Sequence, residues 1–517
     1  MVINKNLFNT SRRKNKVLMV AAEAAPYATV GGFSSVVAYL SKNLSQTGSD
    51  VRIFMPKYGS IDLETYKMES VCEGLHVPTG EESNPYLICN VKKHQDENGV
   101  ITYFLENQEY YEKRANVYNY SDDPTRWALL SRGVCEFIRT KEFIPDVVHC
   151  NDWHTGLVPN YLKTEYKKDP VLSGISTVFT IHNLAIQGYF LNSLKTSELD
   201  FDDGKSRIAS FFSERINTQN FMKRGILYSD IVNTVSRTYA KEILTPEFGQ
   251  GLDKLLLELR GKLFGIINGL DYDEFNPATD TLIDQNYDIT SIDLRAKNKK
   301  ALQEAFDLPI NDDALLLGFV GRLEYQKGVD LIGETLHHVM QDYDVQFVQV
   351  GGGEPSLSDM LQNLKETFPD KVGIHPYPNF TLPRLVFAGS DCILYPSRFE
   401  PCGIVQLEAL RYGSVPIVRK VGGLGDTVRN FDSNTGTGNG FVFTHFDVFS
   451  LFACIIRALE IYKNPSVWRK LQENAMSSDY SWGNSAREYT KLYDLALSLK
   501  DRKFKYLGEK SIEDYLT

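Results

Sequence analysis

The sequence predicts an α/β protein with two doubly wound parallel sheets. Its strands read as continuous apolar runs, which is typical of strands buried on both faces of a parallel sheet. Helix-length segments separate these runs, as the crossovers of a parallel sheet require. The pattern occurs twice in 517 residues, a length that allows two large α/β domains.

The first half of the chain contains one clear βαβ unit and further short strands. The first strand is predicted at residues 17–22, and the loop after it holds Gly31 and Gly32. Apolar residues then recur with helical spacing from 33 to 44. Later strands of this half are predicted at 51–55, 147–150, 178–181 and 231–235.

The same alternation restarts in the second half, with strands predicted at 315–320, 345–350, 392–395 and 415–418. The polar stretch from Asn268 marks the change between the two domains. We therefore predict four segments: a flexible lead-in at 1–15, domains at 16–267 and 268–485, and a helix and tail at 486–517 that pack back on the first domain. Loops at the carboxyl ends of the two sheets are expected to face a deep interdomain cleft.

Composition excludes several classes of protein. Lys and Arg number 56 and Asp and Glu 66, and a net charge of −10 disfavours a nucleic-acid partner. No apolar run approaches the roughly 18 residues that span a membrane. The seven cysteines are scattered without a Cys-x-x-Cys pair, and no signal peptide precedes the first strand. A cytoplasmic protein with reduced thiols is expected.

The glycine pair that opens the first helix has two interpretations. Backbone N–H groups at Gly31 and Gly32 could bind an anion at the positive helix end, or the pair could form a tight turn with positive φ. The loop lacks the Gly-x-Gly-x-x-Gly fingerprint of dinucleotide-binding folds. Gly204-Lys205-Ser206 is not a P-loop either, because Leu199 occupies its first glycine position.

Polar loops follow two strands of the first half. Asp152 and His154 follow one strand, and His182 and Asn183 follow the next. The spacing is not that of a zinc site, so no metal is expected. His154 could donate a hydrogen bond to a sugar hydroxyl, or it could be a loop histidine bonded to the backbone.

Two cations, Arg322 and Lys327, follow the strand at 315–320. On a loop at the carboxyl end of a sheet, both could supply the positive charge that a departing diphosphate needs. Solvated surface cations are the alternative.

The most specific stretch runs from Ser397 to Glu408. Glu400 and Glu408 stand eight residues apart across a Pro-Cys-Gly turn that should open a helix, so one carboxylate can reach a ligand. The amides of Gly403 and Ile404 would face any phosphate at this point. Cys402 fits a buried packing residue better than a nucleophile, because no base partner is evident.

Together these motifs resemble the bacterial glycogen synthase and starch synthase family, retaining glucosyltransferases of the GT-B fold. The likeness runs from about Lys16 to about Tyr493 and includes Asn268–Asp271 and the Gly422-Gly423-Leu424 stretch. It implies a GT-B fold of two Rossmann-like domains. The implied activity is transfer of glucose from ADP-glucose to the non-reducing-end 4-hydroxyl of an α-1,4-glucan, with no obligatory cofactor or metal.

The resemblance also implies roles for individual residues. The implied catalytic residues are His154, Arg322, Lys327 and Glu400. The implied substrate-binding residues are Glu23, Thr29, Gly31, Gly32, Asp152, Asn183, Cys402, Gly403, Ile404 and Thr427. In the family the glycine pair meets the diphosphate, the two cations neutralise it, the glutamate holds the donor glucose and the histidine contacts the transferred sugar.

Three departures from the family pattern concern Thr29, where lysine is usual, Arg237, where proline is common, and Ile186, which replaces a frequent aromatic residue. The change at Thr29 removes a cation expected near the donor or acceptor. It motivates two alternatives: a glucan-binding paralogue of low activity, and a related enzyme that uses UDP-glucose. A Rossmann oxidoreductase is disfavoured by the absent glycine fingerprint.

Overall fold

The computed structural model describes residues 14–188 and 202–500. The predicted lead-in therefore lies almost entirely outside the described residues, and so do residues 501–517 of the tail. No helix of the described part is long and apolar enough to cross a membrane.

The strands, in chain order, are β1 Lys16–Val20, β2 Asp50–Pro56, β3 Glu69–Pro78, β4 Tyr86–Gln95, β5 Ile101–Glu106, β6 Val147–Asn151, β7 Ser176–Ile181, β8 Ile231–Thr234, β9 Leu263–Gly265, β10 Leu315–Val320, β11 Val345–Val350, β12 Val372–His375, β13 Cys392–Tyr395, β14 Val415–Arg419 and β15 Phe441–Phe443.

The α-helices are α1 Gly32–Gln46, α2 Asp123–Arg139, α3 Leu157–Lys163, α4 Phe221–Tyr228, α5 Arg237–Glu242, α6 Asp253–Glu258, α7 Arg295–Ala305, α8 Val329–Asp342, α9 Pro355–Thr367, α10 Leu382–Gly389, α11 Val405–Arg411, α12 Gly422–Thr427, α13 Val448–Tyr462, α14 Pro465–Met476 and α15 Trp482–Lys500.

The chain divides into two compact units. The first comprises Met1–Thr234, Ile243–Ile266 and Trp482–Thr517, and the second comprises Val235–Glu242 and Ile267–Ser481. This division differs from the predicted ranges at three places. Residues 235–242, which include α5, belong to the second unit, and so does Ile267. Helix α15 begins at Trp482 rather than at 486.

The first unit is built on a nine-stranded sheet in the order β3-β4-β5-β2-β1-β6-β7-β8-β9. In this order, the strands from β5 to β9 pair in parallel. The predicted strands β1, β2, β6, β7 and β8 are confirmed, whereas β5 and β9 were not predicted. Helix α15 also belongs to this unit and is bonded to its sheet. The hydroxyl of Tyr493 lies 2.8 Å from Nδ1 of His149 in β6, and the hydroxyl of Tyr489 accepts from the side chain of Asn233 in β8 at 2.9 Å.

The sequence analysis missed β3 and β4. They pair in antiparallel register at one edge of the first sheet, and β4 pairs antiparallel with β5. Edge strands carry many polar residues because one side meets solvent, so their apolar signal is weak.

The second unit contains a six-stranded parallel sheet in the order β12-β11-β10-β13-β14-β15. The strands predicted at 315–320, 345–350 and 392–395 are confirmed residue for residue, and the fourth extends one residue further, to Arg419. The order reverses between β10 and β13, which is where doubly wound sheets bind ligands. The predicted fold class, two doubly wound α/β domains, is confirmed.

Candidate active site

The predicted site residues form two clusters, one in each unit. In both units they lie on loops that follow parallel strands, because the carboxyl ends of such strands share one edge of the sheet. The clusters are described separately.

The loop between β1 and α1 is held by a buried carboxylate. Glu23 accepts a hydrogen bond from the N–H of Val30 at 2.6 Å. Burial raises the pKa of Glu23, although the hydrogen bonds from Val30, Tyr118 and Gly31 oppose that rise. Because its carboxylate bonds the loop backbone, Glu23 shapes the glycine loop.

The positive-φ turn proposed for the glycine pair is wrong. Gly31 has φ −149° and ψ −176°, an extended backbone that any residue adopts, and Gly32 begins α1. A Cβ built on Gly31 meets no protein atom within 4 Å, and residues 29–32 are exposed. Neither backbone strain nor packing within the protein accounts for glycine at this position.

This leads to a prediction for Gly31→Ala. The melting temperature should stay within about 2 °C of wild type, because the added methyl meets only solvent. The KM for a sugar nucleotide should rise by about tenfold or more, because the methyl keeps a phosphate from the loop amides. Thermal unfolding and initial rates check both. A lowered melting temperature with an unchanged KM would show that the glycine serves the fold.

Asp152 ties together the loops that follow β6 and β7. Its N–H donates to the carbonyl of Thr180 at 2.9 Å, and its carboxylate accepts from the N–H of His182 at 3.3 Å. Its φ of 61° is unusual for a residue with a side chain, and such strain is concentrated at functional loops. Burial raises the pKa of Asp152 to about 8.

His154 lies in an aromatic cage. Its ring centroid is 3.9 Å from that of Trp153, 4.9 Å from that of Trp127 and 4.9 Å from that of Tyr118. Burial, followed by the charge of Arg126, lowers the pKa of His154 well below its usual value, so the imidazole is neutral. Its Nδ1 is buried without a hydrogen-bond partner among the described residues, so the predicted alternative of a histidine bonded to the backbone through its ring is wrong.

The second histidine of this cluster, His182, was not among the predicted site residues, although its loop was. It is more accessible than His154, and its Nε2 lies 3.0 Å from Oδ1 of Asn151. Phe33 of α1 packs on its ring at 4.7 Å. The neighbouring Asn183 accepts from the N–H of Ala185 at 3.0 Å and so shapes its own loop.

The second cluster centres on an ion pair between Lys327 and Glu400. The ammonium lies 2.6 Å from the carboxylate, and both side chains are largely buried. Ser397 donates to the same carboxylate oxygen at 3.2 Å. Burial alone would lower the pKa of Lys327, but the attraction of Glu400 and of Tyr395, whose ring lies 5.3 Å away, raises it above its usual value. The lysine is therefore a fixed cation.

Arg322 differs from Lys327. Its side chain is 75% exposed and pairs with Glu324 at 2.6 Å. A guanidinium on so exposed a side chain can turn toward a ligand at little cost, because exposed ion pairs are weak. The two predicted cations thus have different environments, one fixed and one free to move.

The Gly422–Gly423 pair packs directly against the Glu400 loop. The N–H of Gly423 donates to the carbonyl of Glu400 at 3.1 Å. A Cβ on Gly422 would lie 1.8 Å from that carbonyl oxygen, and one on Gly423 would lie 2.0 Å from the carbonyl oxygen of Cys402. These glycines therefore bring α12 against the residues that carry Glu400.

Helix α5 of the same unit completes this arrangement, and the sequence analysis missed it. Glu242 accepts from the N–H of Gly422 through both oxygens, at 3.0 and 3.1 Å. Thr238 donates to Asp426 through its N–H at 2.9 Å and through its hydroxyl at 2.5 Å. No sequence signal could have found these contacts, because about 180 residues separate the partners.

Of the remaining predicted residues, Gly403 and Ile404 lie at the start of α11, with Gly403 at φ 73°. Cys402 is buried, and burial raises the pKa of its thiol to about 12, which agrees with a packing role. Thr427 is fully buried and donates to the carbonyl of Gly423 at 2.7 Å. The buried side chains of Cys402 and Thr427 stabilise the loops around Glu400 and Gly423. The geometry therefore favours a structural role for them over direct contact with substrate.

The described residues contain no cluster of three or more His, Cys, Asp or Glu side chains that could hold a metal ion. Positive charge at the candidate site comes from Lys327 and Arg322.

The chain is similar to known proteins over most of its length. Residues 16–258 match the model of the starch synthase catalytic domain, and residues 301–475 match that of glycosyl transferases group 1. The glycogen synthase of Desulforamulus reducens is 40% identical over 94% of this chain and 100% of its own length. That of Caldicellulosiruptor saccharolyticus is 43% identical over 93% of this chain and 99% of its own.

Among solved structures, the catalytic domain of starch synthase IV from Arabidopsis thaliana, bound to ADP and acarbose, matches with a TM-score of 0.81. It is 31% identical and covers 94% of this chain and 100% of the other. This likeness confirms the predicted GT-B class. The chain therefore belongs to the glycogen synthase and starch synthase family of glycosyltransferases.

Proposed function

We propose that this enzyme transfers glucose from ADP-glucose to the non-reducing-end 4-hydroxyl of an α-1,4-glucan such as glycogen, with retention of configuration. The observation that carries the proposal is the buried pair of Lys327 and Glu400 beside the carboxyl end of the second sheet. The pair offers a fixed cation to a leaving diphosphate and a fixed carboxylate to sugar hydroxyls. In this proposal the second unit binds the nucleotide sugar and the first serves the acceptor side.

Departure of the diphosphate requires stabilisation of the negative charge that develops on it. When the bond between glucose and the diphosphate breaks, negative charge grows on the phosphate oxygen. Lys327 neutralises that charge from a fixed position, and Arg322 adds a mobile guanidinium. In the first unit, the backbone at Gly31 and Gly32 is exposed and could meet a phosphate, although the Gly31 N–H also bonds Glu23. Protein groups thus supply what a metal ion supplies in other nucleotide enzymes, and no cofactor is required.

The donor glucose is held by a carboxylate and by neutral imidazoles. Glu400 accepts hydrogen bonds from the sugar hydroxyls while Ser397 and Lys327 orient it. His154 and His182 are neutral because burial lowers the pKa of each, so each can donate one hydrogen bond and accept another. The accessible ring of His182 is the better placed of the two to meet the transferred sugar, with His154 supporting it. The acceptor hydroxyl attacks on the face from which the diphosphate leaves.

The proposal names ADP as the nucleotide of the sugar donor. Support for adenine comes from the Arabidopsis starch synthase IV domain, whose structure contains ADP. Thr29, exposed two residues before the glycine pair, removes a cation that the family pattern leads one to expect. The test offers labelled ADP-glucose and UDP-glucose together with glycogen. ADP-glucose should be consumed faster, and Thr29→Lys should lower the KM for the donor. Preference for UDP-glucose would overturn the choice of nucleotide.

A binding protein of low activity is the second candidate, because Thr29 departs from the family pattern. Sedimentation with glycogen and incorporation of labelled glucose, measured on one preparation, separate the two candidates. Incorporation supports the enzyme, whereas co-sedimentation without incorporation supports the binding protein. Cytoplasmic location is part of the proposal, since both substrates are cytoplasmic metabolites in this scheme.

A further inference from the structure

The first unit contains a polar cavity that none of the predicted site residues lines. Its volume is about 230 Å³. Its walls come from α2, α3, the β3–β4 turn and residues 207–215. The lining includes Arg132, Arg207, Arg215, Tyr161 and Glu165.

The cavity wall at 207–215 is held by the surrounding structure. Buried Gln219 accepts from the N–H of Ala209 at 3.1 Å and donates to the carbonyl of Arg207 at 3.1 Å. Phe211 donates its N–H to the carbonyl of Thr79 at 3.0 Å and accepts from the hydroxyl of Thr125 of α2 at 2.7 Å. The backbone that carries two of the arginines is therefore fixed to both neighbouring walls.

The charge of the cavity is positive. Three arginines line it against one carboxylate, and that carboxylate, Glu165, lies 3.2 Å from Arg207. Among the described residues, no carboxylate lies within ion-pair distance of Arg132 or Arg215. Arg132 instead packs over the ring of Tyr161 at 5.2 Å and donates to the hydroxyl of Tyr166 at 3.3 Å. The cavity therefore carries more positive than negative charge, although the Glu165 carboxylate also attracts Arg132.

Tyr161 supplies an independent sign of a missing ligand. The residue is 1% exposed, and its hydroxyl is buried without a hydrogen-bond partner among the described residues. A buried hydroxyl without a partner is costly, because it has lost its hydrogen bonds to water. Tyr161 also lines the cavity, so a small shift of its ring would bring the buried hydroxyl to a bound acceptor atom.

We propose that this cavity binds a phosphate group, carried by inorganic phosphate or by a small phosphate ester. Guanidinium groups match phosphate geometry, and phosphate oxygens accept from arginine and tyrosine alike. The volume leaves room for a small substituent but lies below the range of larger ligands. The site is separate from the sugar-nucleotide reaction and does not rest on the proposed function.

The position of the cavity connects it to the first cluster. Arg132 follows Ser131, whose hydroxyl donates to the carbonyl of His154 at 3.5 Å. Helix α3, which carries Tyr161, begins directly after the short helix Trp153–Thr155. A phosphate bound between α2 and α3 would thus contact both of the elements that hold His154.

The test is isothermal titration of inorganic phosphate, and separately of glucose 1-phosphate, into the full-length protein saturated with ADP. ADP occupies the nucleotide site, so the remaining binding reports on this cavity. The Arg132→Gln, Arg215→Gln double variant should bind phosphate at least about tenfold more weakly. Tyr161→Phe, which removes a costly buried hydroxyl without a partner, should keep or raise the melting temperature and weaken binding by about threefold. The tighter of the two ligands identifies the source of the phosphate.

A matched control removes two exposed arginines of the same unit, in the Arg260→Gln, Arg487→Gln double variant, so that net charge changes equally. Its affinity for phosphate should stay within about twofold of wild type. The proposal is overturned if wild type binds neither ligand in the presence of ADP, or if both double variants bind equally well. Because binding is measured without turnover, the outcome depends on ADP filling the nucleotide site but not on transfer of glucose.

Discussion

Lys327→Ala is expected to lower kcat by about two to three orders of magnitude, the usual loss when one preorganised charge-stabilising donor is removed. The reason is the fixed position of the ammonium, 2.6 Å from Glu400 on a side chain that is only 13% exposed. Water that enters in its place cannot reproduce an oriented positive charge at the leaving diphosphate. Steady-state rates with a saturating sugar nucleotide and glycogen measure the loss.

The control for this variant is Lys300→Ala, which removes a lysine of α7 whose side chain is 59% exposed. It should leave kcat unchanged. Lys327→Ala also leaves Glu400 buried with only Ser397 as a side-chain partner, so its melting temperature must be measured alongside the rate. A folded Lys327→Ala protein with wild-type kcat would remove this lysine from the mechanism.

Gly422→Ala is expected to have the largest effect on stability, a loss of about 3 kcal/mol or more in the free energy of unfolding. Its φ of 41° disfavours a side chain, and the new Cβ would lie 1.8 Å from the carbonyl oxygen of Glu400. That backbone has to move, and Glu400 moves with it. Activity should therefore fall further than the loss of folded protein explains. Chemical denaturation and rates corrected for folded fraction measure the two effects.

Gly425→Ala provides a matched control in the same short helix. Its new Cβ would come no closer than 3.4 Å to a protein atom, and that atom belongs to the flexible side chain of Lys420. Alanine is also favoured over glycine in a helix by about 1 kcal/mol. Stability should therefore be unchanged or slightly higher. Equal losses at positions 422 and 425 would contradict the close contact with Glu400.

Nine of the parallel strands were predictable from sequence because burial on both faces leaves an uninterrupted apolar run, whereas the parallel strands β5, β9, β12 and β15 were not predicted. Residues 315–320, 345–350 and 392–395 match β10, β11 and β13 at both ends. The hairpin of β3 and β4 lacked that signal, since its exposed positions mix polar residues with apolar ones such as Ile88. The assignment of 235–242 to the second unit depends on contacts of Thr238 and Glu242 far along the chain, which no local pattern encodes.

The candidate site was predictable only in part, for a similar reason. Residues at strand ends, such as Asp152 and Glu400, carry a local signal, because a polar group follows a buried run. The cage of Tyr118 and Trp127 around His154 does not, since these aromatic residues read as ordinary core positions. The fixed environment of Lys327 and the exposed one of Arg322 are likewise products of tertiary packing.

The central claim is glucosyl transfer to an α-glucan, and one measurement tests it most directly. Purified protein is incubated with ADP-[¹³C]glucose and a maltooligosaccharide, and the product is followed by NMR. The account predicts new labelled α-1,4-linked residues at the non-reducing end, with ADP released in equal amount. Release of free glucose without chain growth, or no reaction with any sugar nucleotide, would contradict it.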